Sequence, residues 1–236
     1  AIDFPPYHEW IKDKLDKAKK DPQPEWADVD LDNLERMFNE AETVIHPNPT
    51  NKLVIGDSHS ICMYRPGWTV NSVPFKTLNG ALNDGLKTFI PEGNFNEIEL
   101  YFGNIDIRHH IVRLDIDVKE LADRYIEQAK ELNAKIYELL PIENESRKLP
   151  QSGYYKGKPF WGTWQERNDA RNAFNDYIDS KYGIIRWTDK LLNAQGELDF
   201  DCMEKPKSIH LSREHYPYWN GVEPDAMSQS LESFFG

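Results

Sequence analysis

The sequence predicts a three-layer α/β/α sandwich on a mainly parallel sheet, and three observations carry that prediction. Short apolar runs alternate with longer segments whose apolar residues recur at helical spacing. The helical segments between successive strands are long enough to serve as the crossovers that parallel pairing requires. The 236 residues contain no internal repeat and no low-complexity tract, so a single domain over 1–236 is expected.

The elements follow in chain order. A helix is predicted over 7–20, after Pro5-Pro6, with Trp10, Ile11, Leu15 and Ala18 on one face. A second over 30–44 buries Leu31, Leu34, Met37, Phe38 and Ala41. Both precede the first convincing strand, so 1–46 reads as an N-terminal helical addition. Strands are predicted over 52–55 and 68–75, and Asn79-Gly80 punctuates the chain before a short helix over 81–89. Ile98, Leu100 and Phe102 alternate along a strand over 97–102 that ends at Gly103. The helix over 118–132 has the clearest pattern, with Val118, Leu121, Ala122, Tyr125, Ile126 and Ala129 inward. Strand character returns over 134–142. The longest irregular segment, 143–164, carries Tyr154, Tyr155, Phe160, Trp161 and Trp164, which suit either a lid over a ligand cleft or pins holding a loop to the body. A helix over 165–182 and a last strand over 184–187 complete the pattern.

Composition removes several function classes. The net charge is −12, with 28 basic residues scattered among 40 acidic ones, so no basic stripe exists to follow a nucleic-acid duplex. Two cysteines, Cys62 and Cys202, are too few for a disulfide framework and suit a reducing compartment. No apolar run approaches membrane-spanning length, and Ala1-Ile2-Asp3-Phe4 does not read as a secretory signal. The expectation is a cytoplasmic protein acting on a small molecule, with no membrane partner and no cofactor.

Chemistry is concentrated at strand ends. The run Leu53-Val54-Ile55-Gly56-Asp57-Ser58-His59-Ser60 breaks at a glycine and delivers a serine at once, at the edge where open α/β sheets place their ligands. An ordinary strand followed by an Asp-Ser turn reads the same way. Asn79-Gly80 and Gly103-Asn104-Ile105-Asp106-Ile107-Arg108-His109-His110 stand after later strands, and Ser208-Ile209-His210-Leu211-Ser212 opens the C-terminal segment. A serine hydrolase needs this inventory: a hydroxyl, an imidazole to take its proton, and donors aimed at the developing oxyanion.

These residues resemble the SGNH or GDSL-type hydrolases over roughly 52–212. Gly56-Asp57-Ser58 is similar to the family's nucleophile motif, and Gly80 stands where the family has its glycine oxyanion donor. Gly103-Asn104-Ile105-Asp106 falls at its Gly-x-Asn-Asp stretch, and His210-Leu211-Ser212 resembles the end of its Asp-x-x-His stretch. The resemblance implies a flavodoxin-like sheet and a metal-independent serine hydrolase. Ser58 is then the nucleophile, His210 the base and Asp57 a further catalytic candidate, with Gly80 and Asn104 at the oxyanion. Two positions depart from the pattern. Ile105 occupies the oxyanion asparagine's place, and Lys207 stands where the triad aspartate is expected, leaving Asp199, Asp201 or a backbone carbonyl to orient His210.

The cluster Arg108-His109-His110-x-x-Arg113 adds a feature that generic esterases do not need. Arg108 could clamp a carboxylate or phosphate, with His59, Asp106 and His109 beside it in substrate binding; alternatively it pairs with Asp106 or Asp115. A Gly-x-Ile-Asp-x-Arg turn of this sort, as in glycan-processing SGNH-like proteins, points to an acyl ester on a sugar or sugar-containing compound. Three other readings remain open. A phosphomonoesterase could act on a small anion such as a nucleoside monophosphate. A dinuclear metallophosphoesterase would use Asp57-x-His59 and Gly103-Asn104, but its two other motifs are missing. A catalytically weakened binding module would explain Ile105 and Lys207.

Overall fold

The structure, a computed structural model, describes residues 15–20, 31, 51–151, 156–157 and 160–219. Its centre is a four-stranded, wholly parallel sheet of β1 (Lys52–Gly56), β2 (Thr69–Ser72), β3 (Glu97–Tyr101) and β4 (Lys135–Ile136), in the order β2-β1-β3-β4. Helices cover both faces, as the alternation of strand and helix predicts. The register runs Ile55 against Asn71 on one side and against Leu100 on the other. Leu53, Val54 and Ile55 have no solvent exposure, because a central parallel strand is covered on both faces.

The sheet order creates the site. The connection from β1 to β2 moves one way along the sheet, and that from β2 to β3 passes back across β1. Right-handed crossovers therefore place the two on opposite faces. The chain leaves the carboxyl ends of β1 and β3 toward opposite faces at this switch point, the place where open α/β sheets form a ligand crevice.

Besides the helical residues 15–20 and Leu31, the α-helices among the described residues are α1 (Leu78–Asp84), α2 (Asn104–His109), α3 (Ile111–Leu114), α4 (Val118–Glu131) and α5 (Trp164–Lys181). The side chain of Asp117 caps α4 by accepting from the N–H groups of Lys119 and Glu120. Thr163 and Glu166 form a reciprocal capping box on α5. Leu121, Ala122, Tyr125, Ile126 and Ala129 of α4 are buried as their spacing predicts.

Several boundaries differ from the sequence reading, each for a local reason. The helix expected over 81–89 starts earlier and takes Asn79-Gly80 into its first turn, because Thr77 caps it by accepting from Gly80 N–H at 3.0 Å. It stops at Gly85, and Leu86–Phe89 continues as a 3₁₀ turn. The strand expected over 134–142 pairs only at Lys135–Ile136, since β3 ends at Tyr101 and leaves no ladder beyond it. A single parallel bridge, Tyr137 with Ile185, is what exists of the last predicted strand. Ile105 to His109, expected in a strand-end loop, are helical.

Apart from Leu31, which is helical, the helix predicted over 30–44 lies outside the described residues, as does most of that over 7–20. Residues 15–20 are helical, and Leu15 joins the core. Tyr154 and Tyr155 also lie outside. The described part of 143–164 is fastened to the body: Trp161 N–H donates to Arg108 O, Trp164 Nε1–H to Ile142 O, and Lys148 N–H to Lys207 O. Among its described aromatics, Trp161 alone is largely exposed, at 54%.

Candidate active site

Gly56 ends β1 because nothing larger fits. A Cβ there would lie 2.3 Å from Tyr101 O and 2.6 Å from Ser60 Cβ. The chain then turns into a 3₁₀ helix, Ser58–Met63, whose N-cap Asp57 accepts from His59 N–H at 2.9 Å. This turn presents Ser58, partly exposed, at the crevice. Its own N–H, in the first turn, has no intrahelical acceptor.

The imidazole comes from the far end of the described chain. Met203 and Leu211 form an antiparallel bridge, and Glu204 N–H donates to His210 O at 2.9 Å, so 204–210 is a hairpin loop. It brings His210 Nε2 to 3.2 Å from Ser58 Oγ across 152 residues of sequence. Burial, reinforced by His59 and Arg147, holds the His210 ring well below its ordinary pKa and therefore neutral. A neutral Nε2 lone pair facing a hydroxyl is what a general base requires.

The group on the other ring nitrogen is one the sequence reading missed. Glu204 Oε1 lies 3.9 Å from His210 Nδ1, is buried and has no hydrogen-bond partner. Burial raises its carboxyl to about 7. The separation exceeds hydrogen-bond length, as is common for catalytic pairs without substrate. Asp199 instead caps a 3₁₀ turn by accepting from Asp201 N–H, and Asp201 is exposed, so neither orients His210. Lys207 is exposed at the hairpin turn with φ of 60°. Pro206-Lys207 marks a turn in the sequence, but it is the Met203–Leu211 bridge that sets Glu204 and His210 across from each other.

Asp57 is fully buried, and its carboxylate is bonded to His59 and Asn104. Its Oδ1 accepts from the backbone and ring nitrogens of His59, and its Oδ2 accepts from Asn104 N–H at 3.2 Å. Desolvation raises it to about 6 against those bonds. It ties the ends of β1 and β3 together.

The two oxyanion candidates are both engaged elsewhere. Gly80 N–H is held by Thr77 Oγ1, and the Asn104 side chain spans Asp57 Oδ2 and Leu140 N–H, 3.0 Å from its Oδ1. Asp106, expected in substrate binding, instead accepts from Leu78 and Asn79 N–H and so anchors the start of α1. Its burial pushes it up to about 6.

Arg108 also differs from its expected role as a clamp. It is 1% exposed, and its three nitrogens meet Glu143 Oε2, Asn104 O and Pro141 O at 2.9–3.2 Å. Glu143, which the sequence did not single out, is a buried hub that also accepts from Arg167 and Arg147. Burial would raise its pKa, but the three guanidiniums hold it below the ordinary value. His109 is buried near these arginines, which together with desolvation hold it down to about 2. Among the described residues no three His, Cys, Asp or Glu side chains converge to hold a metal ion.

No known family profile matches the chain, and no curated protein does. Solved structures do resemble it. A Streptococcus pneumonia protein provisionally described as a platelet activating factor superposes with a TM-score of 0.51 at 17% identity, over 97% of both chains. A Bacteroides fragilis protein provisionally described as an acylhydrolase gives 0.48 at 12% identity, over 86% of this chain and 98% of that one. A Slackia heliotrinireducens protein provisionally described as an SGNH hydrolase gives 0.47 at 12%, over 80% and 100%. The first of these shows a shared fold along nearly the whole chain. No helix among the described residues is long and apolar enough to cross a membrane.

Proposed function

We propose that the chain is a metal-independent serine hydrolase of the SGNH type that cleaves a carboxylic ester, with Ser58, His210 and Glu204 as its proton relay. The observation that carries this reading is the 3.2 Å approach of Ser58 Oγ to His210 Nε2 at the sheet's switch point. Ser58 Oγ attacks the ester carbon while His210 Nε2 takes its proton. The tetrahedral intermediate collapses as that proton passes to the leaving alkoxide, giving an alcohol and an acyl-serine. Water, deprotonated by His210 in turn, then releases the acid. Glu204 stabilises the transient imidazolium, and the Ser58 N–H contributes to the oxyanion site. An acyl ester of a sugar or another polyol is the favoured substrate class, following the Gly-x-Ile-Asp-x-Arg turn at Gly103–Arg108.

The test is Ser58→Ala assayed on p-nitrophenyl acetate, acetylated sugars and nucleoside monophosphates, with and without chelator. Wild-type ester turnover that survives chelation, is lost in Ser58→Ala and is blocked by a fluorophosphonate bound at Ser58 supports the reading. Unchanged esterase activity in Ser58→Ala removes it.

A further inference from the structure

His59 has a ring nitrogen that the proton relay does not use. Its Nδ1–H donates to Asp57 Oδ1 at 3.0 Å, which fixes the tautomer and leaves a lone pair on Nε2. Asp57 in turn is held by Asn104 on its other oxygen, so the ring cannot easily rotate away. Nε2 is buried and has no hydrogen-bond partner. The ring stands edge-to-face with His210, centroids 4.8 Å apart at 70°, immediately beside the residue that meets Ser58. An ionised Nε2–H is disfavoured, because burial, Arg108 and Arg147 all hold the ring well below its ordinary pKa. A rigid, desolvated acceptor next to the reacting serine is thus present without a donor. Native structures leave few such groups unmatched.

We propose that His59 determines specificity: its Nε2 accepts a hydrogen bond from a hydroxyl or N–H donor carried by the substrate close to the ester that Ser58 attacks. The substrate class is then a hydroxy ester, such as a partly acylated polyol, in preference to a plain alkyl ester. This rests on the serine-hydrolase reading for its activity arm. Because Nε2 is shut off from bulk solvent, the bond it gains from substrate is little offset by lost hydration. Discrimination of roughly 5- to 150-fold is expected.

Two measurements on the full chain test this. The first compares kcat/KM for glycerol 1-monoacetate and n-propyl acetate, each divided by its hydroxide-catalysed rate. Wild type should favour the glycerol ester by at least about fivefold. The preference should collapse to near unity in His59→Phe and largely persist in His59→Gln, which keeps an acceptor. A wild-type ratio near one, or a ratio unchanged in His59→Phe, overturns the proposal. The second uses ¹⁵N-histidine-labelled Ser58→Ala, which binds without turning over. The His59 Nε2 resonance should shift with glycerol 1-monoacetate and not with propyl acetate; no shift with either overturns the proposal. If wild type hydrolyses neither ester, the serine-hydrolase reading fails, and the resonance alone decides the role of His59.

Discussion

Replacing Glu204 by glutamine tests the proposed relay most directly. The carboxylate sits 3.9 Å from His210 Nδ1 in a largely buried setting. At an effective dielectric of about 20, opposite unit charges at that distance attract by about 4 kcal/mol. That attraction exists only once His210 has taken the serine proton, so it acts on the transition state and not on the resting enzyme. Neutralising it should lower kcat/KM by roughly 10²- to 10³-fold. Folding stability should hold, because the Glu204 Oε1 atom has no hydrogen bond to lose. The pH profile supplies a second reading. Glu204 titrates at about 7, raised by burial. Wild-type activity should therefore fall as pH drops through 7 and the carboxylate is protonated. Glu204→Gln should sit on the low plateau with no such limb. Steady-state kinetics on p-nitrophenyl acetate between about pH 5 and 9 measure both. Activity of Glu204→Gln within threefold of wild type, with the limb intact, would refute the assignment.

Three further outcomes follow from the same geometry. Gly56→Ala forces a Cβ to 2.3 Å from Tyr101 O, where backbone must yield; urea denaturation should show a loss of about 3 kcal/mol, against about 1 kcal/mol for Gly67→Ala, which meets nothing and strains only φ. Glu143→Gln leaves the buried guanidiniums of Arg108 and Arg167 without their countercharge, and should cost about 3–5 kcal/mol by the same measurement. His109 stays neutral in the fold down to about 2, whereas the unfolded chain binds a proton below its ordinary value of about 6.5. Its stabilising contribution is therefore complete above that pH and declines as pH falls, by about 1.4 kcal/mol per unit. His109→Gln should flatten the dependence of stability on pH between 4 and 6, roughly by that slope, in urea titrations.

Much of the scaffold was legible because it rests on periodicity. Leu53 to Ile55 read as a buried strand, and the α4 pattern from Val118 to Ala129 read as a helix; both are dictated by which residues must leave water. The approach of Ser58 to His210 was anticipated for a different reason: their residue types, order and flanking glycine match a chemistry that would need them close together. The boundaries of α1 were not, because its first turn is held by Asp106, a residue 28 positions away from Leu78. The partner of His210 was not legible either. Nothing in a linear reading distinguishes Glu204 from Asp199 or Asp201 until the Met203–Leu211 bridge sets it opposite the imidazole.

The chain alone determined which segments bury apolar surface, and hence the layers, the parallel sheet and the edge at which Ser58 emerges. Side-chain periodicity is a local property, and it survives without knowledge of neighbours. Only the tertiary structure decided what each polar group does. It turned Arg108 inward to Glu143, spent Asp106 and Gly80 on a helix start, and left Glu204 Oε1 and His59 Nε2 unmatched around His210. A carboxylate, guanidinium or imidazole acts through whatever lies within about 4 Å, and those neighbours come from distant parts of the sequence.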